Sequence, residues 1–415
     1  MNHIPDLTDP RATGAWTRRQ VLAAGGAVAV TVLAGCRPAD STATATPTST
    51  PAALPTATSA AEAQPLEVAP ELRRKLAQMV LVGFRGTALE PDNPIVADIR
   101  DRGIGGVVLF SYDVALQSPV RNVESPEQVA ALNAALSDLA ADPLLIAVDQ
   151  EGGKVARLNE THGFPPTISA QALGEQNDPA ATYAAAAQLA DTLKAAGLRH
   201  NFAPVVDVNT NPDNPVIGAI GRSFSADPAI VTAQAAAFIR AHRERGITTT
   251  LKHFPGHGSS RSDSHLGFVD VTESWQPLEL EPYRDLIAQG LVDTVMTAHV
   301  YNAQLDPDTV ATLSKPIITG ILREQLGFDG VVFSDDMQMS AIADNYGFAE
   351  AVVSAVAAGV DVVAVGNNLN YEPDVAARII DLLAAAVADG RLSEARIDES
   401  YRRIMALKAG LADQS

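Results

Sequence analysis

The stretch Lys252-His253-Phe254-Pro255-Gly256-His257-Gly258-Ser259-Ser260-Arg261-Ser262-Asp263-Ser264-His265 holds three of the chain's eight histidines, with a lysine and an aspartate. It has no helical apolar stripe and, after its first residues, no strand alternation, so it does not read as a core-filling element. An imidazole changes charge near neutral pH, and a carboxylate two residues before it favours the charged form and orients the ring. Asp263 and His265 are therefore the candidate proton-transfer pair. Protonated His265 can donate to a leaving oxygen, and neutral His265 can activate water. In Ser334-Asp335-Asp336-Met337, Asp335 is the candidate nucleophile, because a positioned carboxylate can attack carbon and form a covalent intermediate. Asp336 is expected to point differently, since strand neighbours alternate faces, and to play a supporting part. His253 and His257 would suit zinc if they shared a helix. Pro255, Gly256 and Gly258 argue against a helix there, and neither a metal nor an organic cofactor is expected.

Groups drawn from distant parts of the chain need a scaffold that gathers them. From about Leu66 short apolar, β-branched runs alternate with longer Ala/Leu-rich segments. The runs are 79–84, 106–110, 144–148, 201–206, 248–252, 294–298, 330–333 and 361–365, each nearly continuous in hydrophobicity, as expected of parallel strands covered on both faces. The segments between them read as helices. Ser125 is an N-cap before Pro126, Gln128 follows at the third helical position, and Val129, Leu132, Leu136 and Leu139 follow at helical spacing. Eight such units predict a single (β/α)8 TIM-type barrel. An open doubly wound sheet is weakened by the lack of a Gly-rich dinucleotide turn after any early strand. In a barrel the strand ends share one face. Asp149 to Arg157, Asp207 and the loop on to Gly221-Arg222-Ser223-Phe224, the opening stretch, His299, Asp335 and Asn367 would then meet there.

DQEGGKVAR (149–157), GRSF (221–224), KHFPGHG followed by DSH, and VVFSDDM resemble the motifs of family 3 glycoside hydrolases, in order and spacing, over roughly residues 70 to 410. The bacterial β-N-acetylglucosaminidase branch is the nearest in pattern. The resemblance implies a retaining exo-β-N-acetylglucosaminidase (β-N-acetylhexosaminidase) that removes terminal N-acetylglucosamine from muropeptides or chitin oligomers. It implies Asp335 as nucleophile and His265–Asp263 as acid/base dyad in place of a second carboxylate. It also implies Asp149, Arg157, Arg222, Lys252 and His253 as sugar-binding residues; a carboxylate can hold two hydroxyls, and cationic donors can hold sugar oxygens. Asp207, His257 and His299 are expected behind these. Gly258-Ser259-Ser260-Arg261-Ser262 departs from the Asp-Thr common after KHFPGHG, and its Gly/Ser content suggests slack that lets the dyad swing over substrate. Lys154 stands where the family usually has arginine, and the family's flavodoxin-like second domain is expected to be absent. Competing readings are a β-N-acetylglucosaminide phosphorylase or a β-glucosidase on the same site, and a non-catalytic sugar-binding lipoprotein.

A formal net charge of −19 excludes a nucleic-acid partner, since that needs a basic face. Cys36 is the only cysteine, so an internal disulfide is impossible. Its setting suggests another use. Thr17-Arg18-Arg19-Gln20-Val21-Leu22 is a twin-arginine pattern, an apolar run too short to span a bilayer follows, and Leu33-Ala34-Gly35-Cys36 resembles a lipobox. Residues 1–35 are thus expected to be a signal peptide, with Cys36 lipidated and holding the protein to a membrane as an exported, extracytoplasmic lipoprotein. Residues 36–66 are rich in Thr, Ser, Ala and Pro and read as a disordered tether, and 67–415 as the catalytic barrel. Sequence fixes no oligomeric state.

Overall fold

A computed structural model of the chain describes residues 68–412. The twin-arginine segment, Cys36 and the tether lie outside the described residues. No helix among the described residues is long and apolar enough to cross a membrane.

The eight barrel strands are β1 Val80–Gly83, β2 Gly106–Leu109, β3 Leu145–Val148, β4 His200–Asn201, β5 Thr248–Phe254, β6 Thr294–Thr297, β7 Val331–Phe333 and β8 Val363–Val365. They pair in chain order and in parallel, as in Val107↔Ile146 and Val332↔Val295. Val80 of β1 pairs with Val363 of β8, and a parallel bridge between Phe333 and Val362 closes the ring from β7 to β8. The doubly wound alternative would have left two open edges.

Burial explains the runs. Every residue of β1, β2, β3 and β8 is buried, because helices cover the outside and side chains fill the inside. Helix Pro126–Leu139 begins as expected: Ser125 Oγ accepts from Gln128 N, and Val129, Leu132 and Leu136 are buried. Gln128 folds back one residue further than a capping box, accepting from Glu124 N. Inside the barrel the His200, Phe202 and Phe333 rings meet at 5.2–5.3 Å. Burial pushes the His200 imidazole down to about 3, and Thr248 and Thr250 satisfy its nitrogens.

Most strand ends fall within two residues of the expected runs, and two differences bear on the site. β4 is short, not 201–206: Pro204 has no N–H to donate, and only Val205 bridges onward, to Lys252. β5 runs two residues further than expected, to Phe254, and so takes in His253. Two helices, Val375–Ala388 and Glu394–Ala412, follow β8. The last is locked to the barrel's lower face by Asp361, whose carboxylate accepts from Arg323, Arg396 and Ser400 at 2.6–2.8 Å.

Candidate active site

The polar tips of β3, β4 and β5 form one buried ionic lattice. Lys252, near the end of β5, donates Nζ to Asp149 Oδ1 at 2.7 Å and lies 2.7 Å from Glu151 Oε1. Arg222, on the long loop after β4, grips Glu151 with Nε and Nη2 at 2.8 and 2.7 Å and donates Nη1 to Val216 O. Arg157 closes the other side, Nη2 to Asp149 Oδ2 at 3.2 Å, with its guanidinium over the Phe110 ring. Lys252 and Glu151 side chains are 2% and 3% exposed, whereas Asp149 and Arg157 keep 17% and 18%. The exposed pair can therefore meet a ligand directly, and Lys252 is occupied in holding the two carboxylates. Burial opposes charge on Asp149 and Glu151, but their cations prevail, Lys252 first for Asp149 and Arg222 first for Glu151, and hold both below the usual carboxylate range.

His253 joins this lattice from behind. Its Nδ1 donates to Asp207 Oδ2 at 2.7 Å, and Arg222 Nη2 approaches its Nε2 at 3.2 Å, which sets the tautomer with the proton on Nδ1. Asp207 is fully buried and also accepts the backbone N–H groups of His253 and His257 through Oδ1. The peptide bonds Lys252–His253 and Phe254–Pro255 are cis.

Asp335 follows β7. Its Oδ1 accepts from Asp336 N at 2.8 Å. Burial opposes its ionisation, but the fields of His299, His253 and His265 outweigh that and lower its pKa. Asp336 points elsewhere: Oδ1 accepts from Gln338 N, and Oδ2 lies where a side chain on Gly366 would sit; both residues lie past the end of β7, so the turn and not strand alternation separates them. Burial pushes its carboxyl up to about 6. His299 links the two tips, with Nε2 donating to Asp336 O at 3.0 Å and Nδ1 meeting Thr312 Oγ1.

His265 stands 44% exposed at the rim, its Nδ1 2.8 Å from Asp263 Oδ1, which also accepts the His265 backbone N–H. Partial withdrawal from solvent opposes the imidazolium; the Asp263 hydrogen bond and charge, with the Asp335 charge, prevail and raise its pKa. His265 and Asp335 thus sense each other's charge, one across the mouth and one in the floor.

The loop that carries the dyad is not slack along its length. Ser259 and Ser260 are buried. Asn214 Nδ2 donates to His257 O, Asn211 Nδ2 donates to Ser260 O, and Gly258 N donates to Glu279 Oε2. Ser260 and Ser264 hydroxyls meet the two nitrogens of His257 at 2.7 and 3.2 Å, and burial keeps that ring near 4 and neutral. Residues 261–268 are mostly exposed, but Ser264 among them is buried and its carbonyl accepts from Ala341 N. The backbone of residues 257–260 is fixed by partners far away in sequence, which loop composition does not reveal.

All eight non-lipid residues singled out from sequence lie on this face. Asp149, Arg157, Arg222, Lys252 and His253 share one lattice, while Asp335 and the His265–Asp263 pair stand apart and are joined to it through charge. Two residues were missed. Glu151 lay inside the quoted DQEGG motif, and its acidity beside a buried arginine was the available signal. Glu279 had no local signal; it buttresses Gly256 and Gly258 from a short helical turn, and burial raises its carboxyl to about 7.

Comparison with known proteins gives concordant matches. Residues 71–407 match the model of the glycosyl hydrolase family 3 N terminal domain. The β-hexosaminidase A of Pseudoalteromonas piscicida is 32% identical over 395 residues, covering 86% of this chain and 64% of that protein. The β-hexosaminidase of Xanthomonas axonopodis pv. citri is 41% identical over 302 residues, covering 69% and 83%. Among solved structures, a family 3 β-N-acetylglucosaminidase from Paenibacillus sp. superposes with a TM-score of 0.76 at 39% identity, over 83% of this chain and 63% of that one. A β-N-acetylhexosaminidase from Beutenbergia cavernae gives 0.72 at 30% identity, over 81% and 98%. The chain thus spans less than two thirds of the P. piscicida and Paenibacillus proteins and nearly all of the B. cavernae one.

Proposed function

The chain belongs to glycoside hydrolase family 3, and from that premise we propose that it is a retaining exo-β-N-acetylglucosaminidase acting on terminal β-linked N-acetylglucosamine. The observation that carries the mechanism is the pairing of a buried carboxylate after β7, Asp335, with a rim imidazole, His265, that Asp263 holds at 2.8 Å, each favouring the other's charged form. In the first step Asp335 attacks the anomeric carbon while protonated His265 gives its proton to the leaving oxygen, so the C–O bond breaks and a glycosyl-enzyme forms. In the second, neutral His265 takes a proton from water, whose oxygen displaces Asp335 with the original configuration restored. Asp263 orients the ring and stabilises the imidazolium throughout. Asp149 and Arg157 bind the sugar hydroxyls, Arg222 and His253 complete the wall, and Lys252 with Glu151 keeps those groups in place. The acetamido preference is supported by the β-hexosaminidase names of the relatives.

The test is release of nitrophenol from 4-nitrophenyl N-acetyl-β-glucosaminide, with and without phosphate. Turnover without phosphate that collapses in Asp335→Ala, with β-N-acetylglucosamine as first product by NMR, is the expected result. A strict phosphate requirement with a glycosyl phosphate product would move the assignment to a phosphorylase, which a histidine acid/base permits because it does not repel phosphate. Turnover of the β-glucoside alone would discard the acetamido preference, and silence on both substrates would favour a sugar-binding protein.

We further propose that the enzyme is exported and held at a membrane through acylated Cys36, on the strength of the twin-arginine and Leu33–Cys36 patterns. Metabolic labelling with a fatty acid should mark the wild-type protein and not Cys36→Ser; equal labelling would overturn the anchor.

A further inference from the structure

We propose that Leu266, Phe268 and Tyr301 form a leaving-group subsite, an apolar platform on the acid/base loop that takes the C–H face of the pyranose released with the leaving oxygen. The proposal rests on the glycosidase reading and adds to it the chemistry of the aglycone.

Leu266 and Phe268 are 67% and 45% exposed, and they flank the dyad at one and three residues beyond His265. Single exposed apolar residues are ordinary, but two within three residues of a proton donor, one of them against an aromatic neighbour, mark a candidate contact surface. The Phe268 ring lies 5.5 Å from that of Tyr301, tilted by 38°. Tyr301 is fixed: its hydroxyl donates to Pro307 O at 2.9 Å, and its backbone lies in a small sheet. In that sheet Val269↔Val300 and Asp270↔Tyr301 pair in parallel, and Tyr301↔Val310 pairs antiparallel. The outer end of the dyad loop is thereby tied to the segment that directly follows His299, so the platform and the proton donor are held by one local framework.

Position selects the occupant. The proton from His265 must reach the oxygen that joins the two rings, so the ring that departs lies on the dyad's side and the ring that is retained lies over Asp149 and Arg157. The retained ring meets charge and hydrogen-bond donors. The departing ring meets a leucine and two aromatic rings, which suits the axial C–H face of a β-linked pyranose and offers little to a small alkyl group.

The experiment compares kcat/KM for N,N′-diacetylchitobiose with that for methyl N-acetyl-β-glucosaminide, whose leaving group has no ring. Because both rates come from one preparation, partial unfolding cancels in their ratio, and a displaced dyad would slow loss of methanol, the more basic leaving group, more and so move the ratio the other way. Phe268→Ser combined with Leu266→Ser should lower the ratio about tenfold, the loss of one aromatic contact with its apolar neighbour, and Phe268→Tyr should preserve it. A ratio unchanged within twofold in the double variant, with wild type active on both substrates, would overturn the platform alone. Wild type inactive on both would remove the glycosidase reading and the platform with it.

Discussion

Glu151→Gln is the sharpest test of the ionic lattice, since it preserves shape and deletes one charge. In the native site three cations, Lys252, Arg157 and Arg222, share two carboxylates, Asp149 and Glu151. Removing Glu151's charge leaves three cations on one anion in a place that water barely reaches. Glu151 holds three contacts of 2.7–2.8 Å, two from Arg222 and one with Lys252. Breaking a buried pair by deleting one partner costs about 3–5 kcal/mol, and a charge-assisted hydrogen bond contributes about 1.5–3 kcal/mol. The glutamine oxygen can still accept from one donor, so the expected loss is about 2–4 kcal/mol, measured by urea unfolding at pH 7. The same freedom should let Arg222 leave its place beside His253 and lower kcat/KM about 10- to 100-fold on the nitrophenyl substrate, about 1.4 kcal/mol per decade. The sign with pH is also set. Glu151 and Asp149 have folded pKa values below their unfolded ones, so their stabilisation is present above the unfolded values and is lost as pH falls through the folded ones. Glu151→Gln should therefore unfold with a shallower acid dependence than wild type. Unfolding within about 0.5 kcal/mol of wild type, with kcat/KM within twofold, would refute the lattice as the element that positions Arg222.

Three other outcomes follow from the same geometry. In kcat/KM against pH, the acid limb belongs to Asp335 and lies below the ordinary carboxylate value, and the basic limb belongs to His265 and lies above the ordinary histidine value; Asp263→Asn should move the basic limb to lower pH. Lys408 is 1% exposed, with Nζ on Gln78 Oε1, and burial lowers its pKa to about 7 from 10.5. Between those pH values the unfolded chain binds the extra proton, so stability should rise with pH by up to about 1.4 kcal/mol per unit, a slope that urea titrations should no longer find in Lys408→Met. Gly258→Ala would drive its methyl into Val208 O, so the root of the dyad loop must shift, and kcat should fall by at least about tenfold with KM less affected; unchanged kcat would show that the loop root does not position the dyad.

The barrel was legible because its physics is local. Parallel strands covered on both faces must be continuously apolar, and Leu145–Val148 or Val363–Val365 could hardly be anything else once helical segments separated them. The site was legible for a related reason: catalytic groups in this architecture sit at strand tips, so a polar residue ending an apolar run carries positional information. Asp149 and Asp335 were found that way. What the sequence concealed was partnership at a distance. Glu151 acquires its role from Arg222, 71 positions later, and Glu279 from Gly258, 21 positions earlier. Ser259 and Ser260 read as slack because serine is common in loops, yet Asn211 and Asn214 reach across from the previous loop to fix the backbone around them. The distinction between mobile and anchored loop was therefore invisible in composition and is set by which backbone groups find a side-chain partner elsewhere. The loop is held as far as Ser260, again at Ser264 through His257 and Ala341 N, and again from Val269, so Asp263 and His265 stand on a segment anchored on both sides.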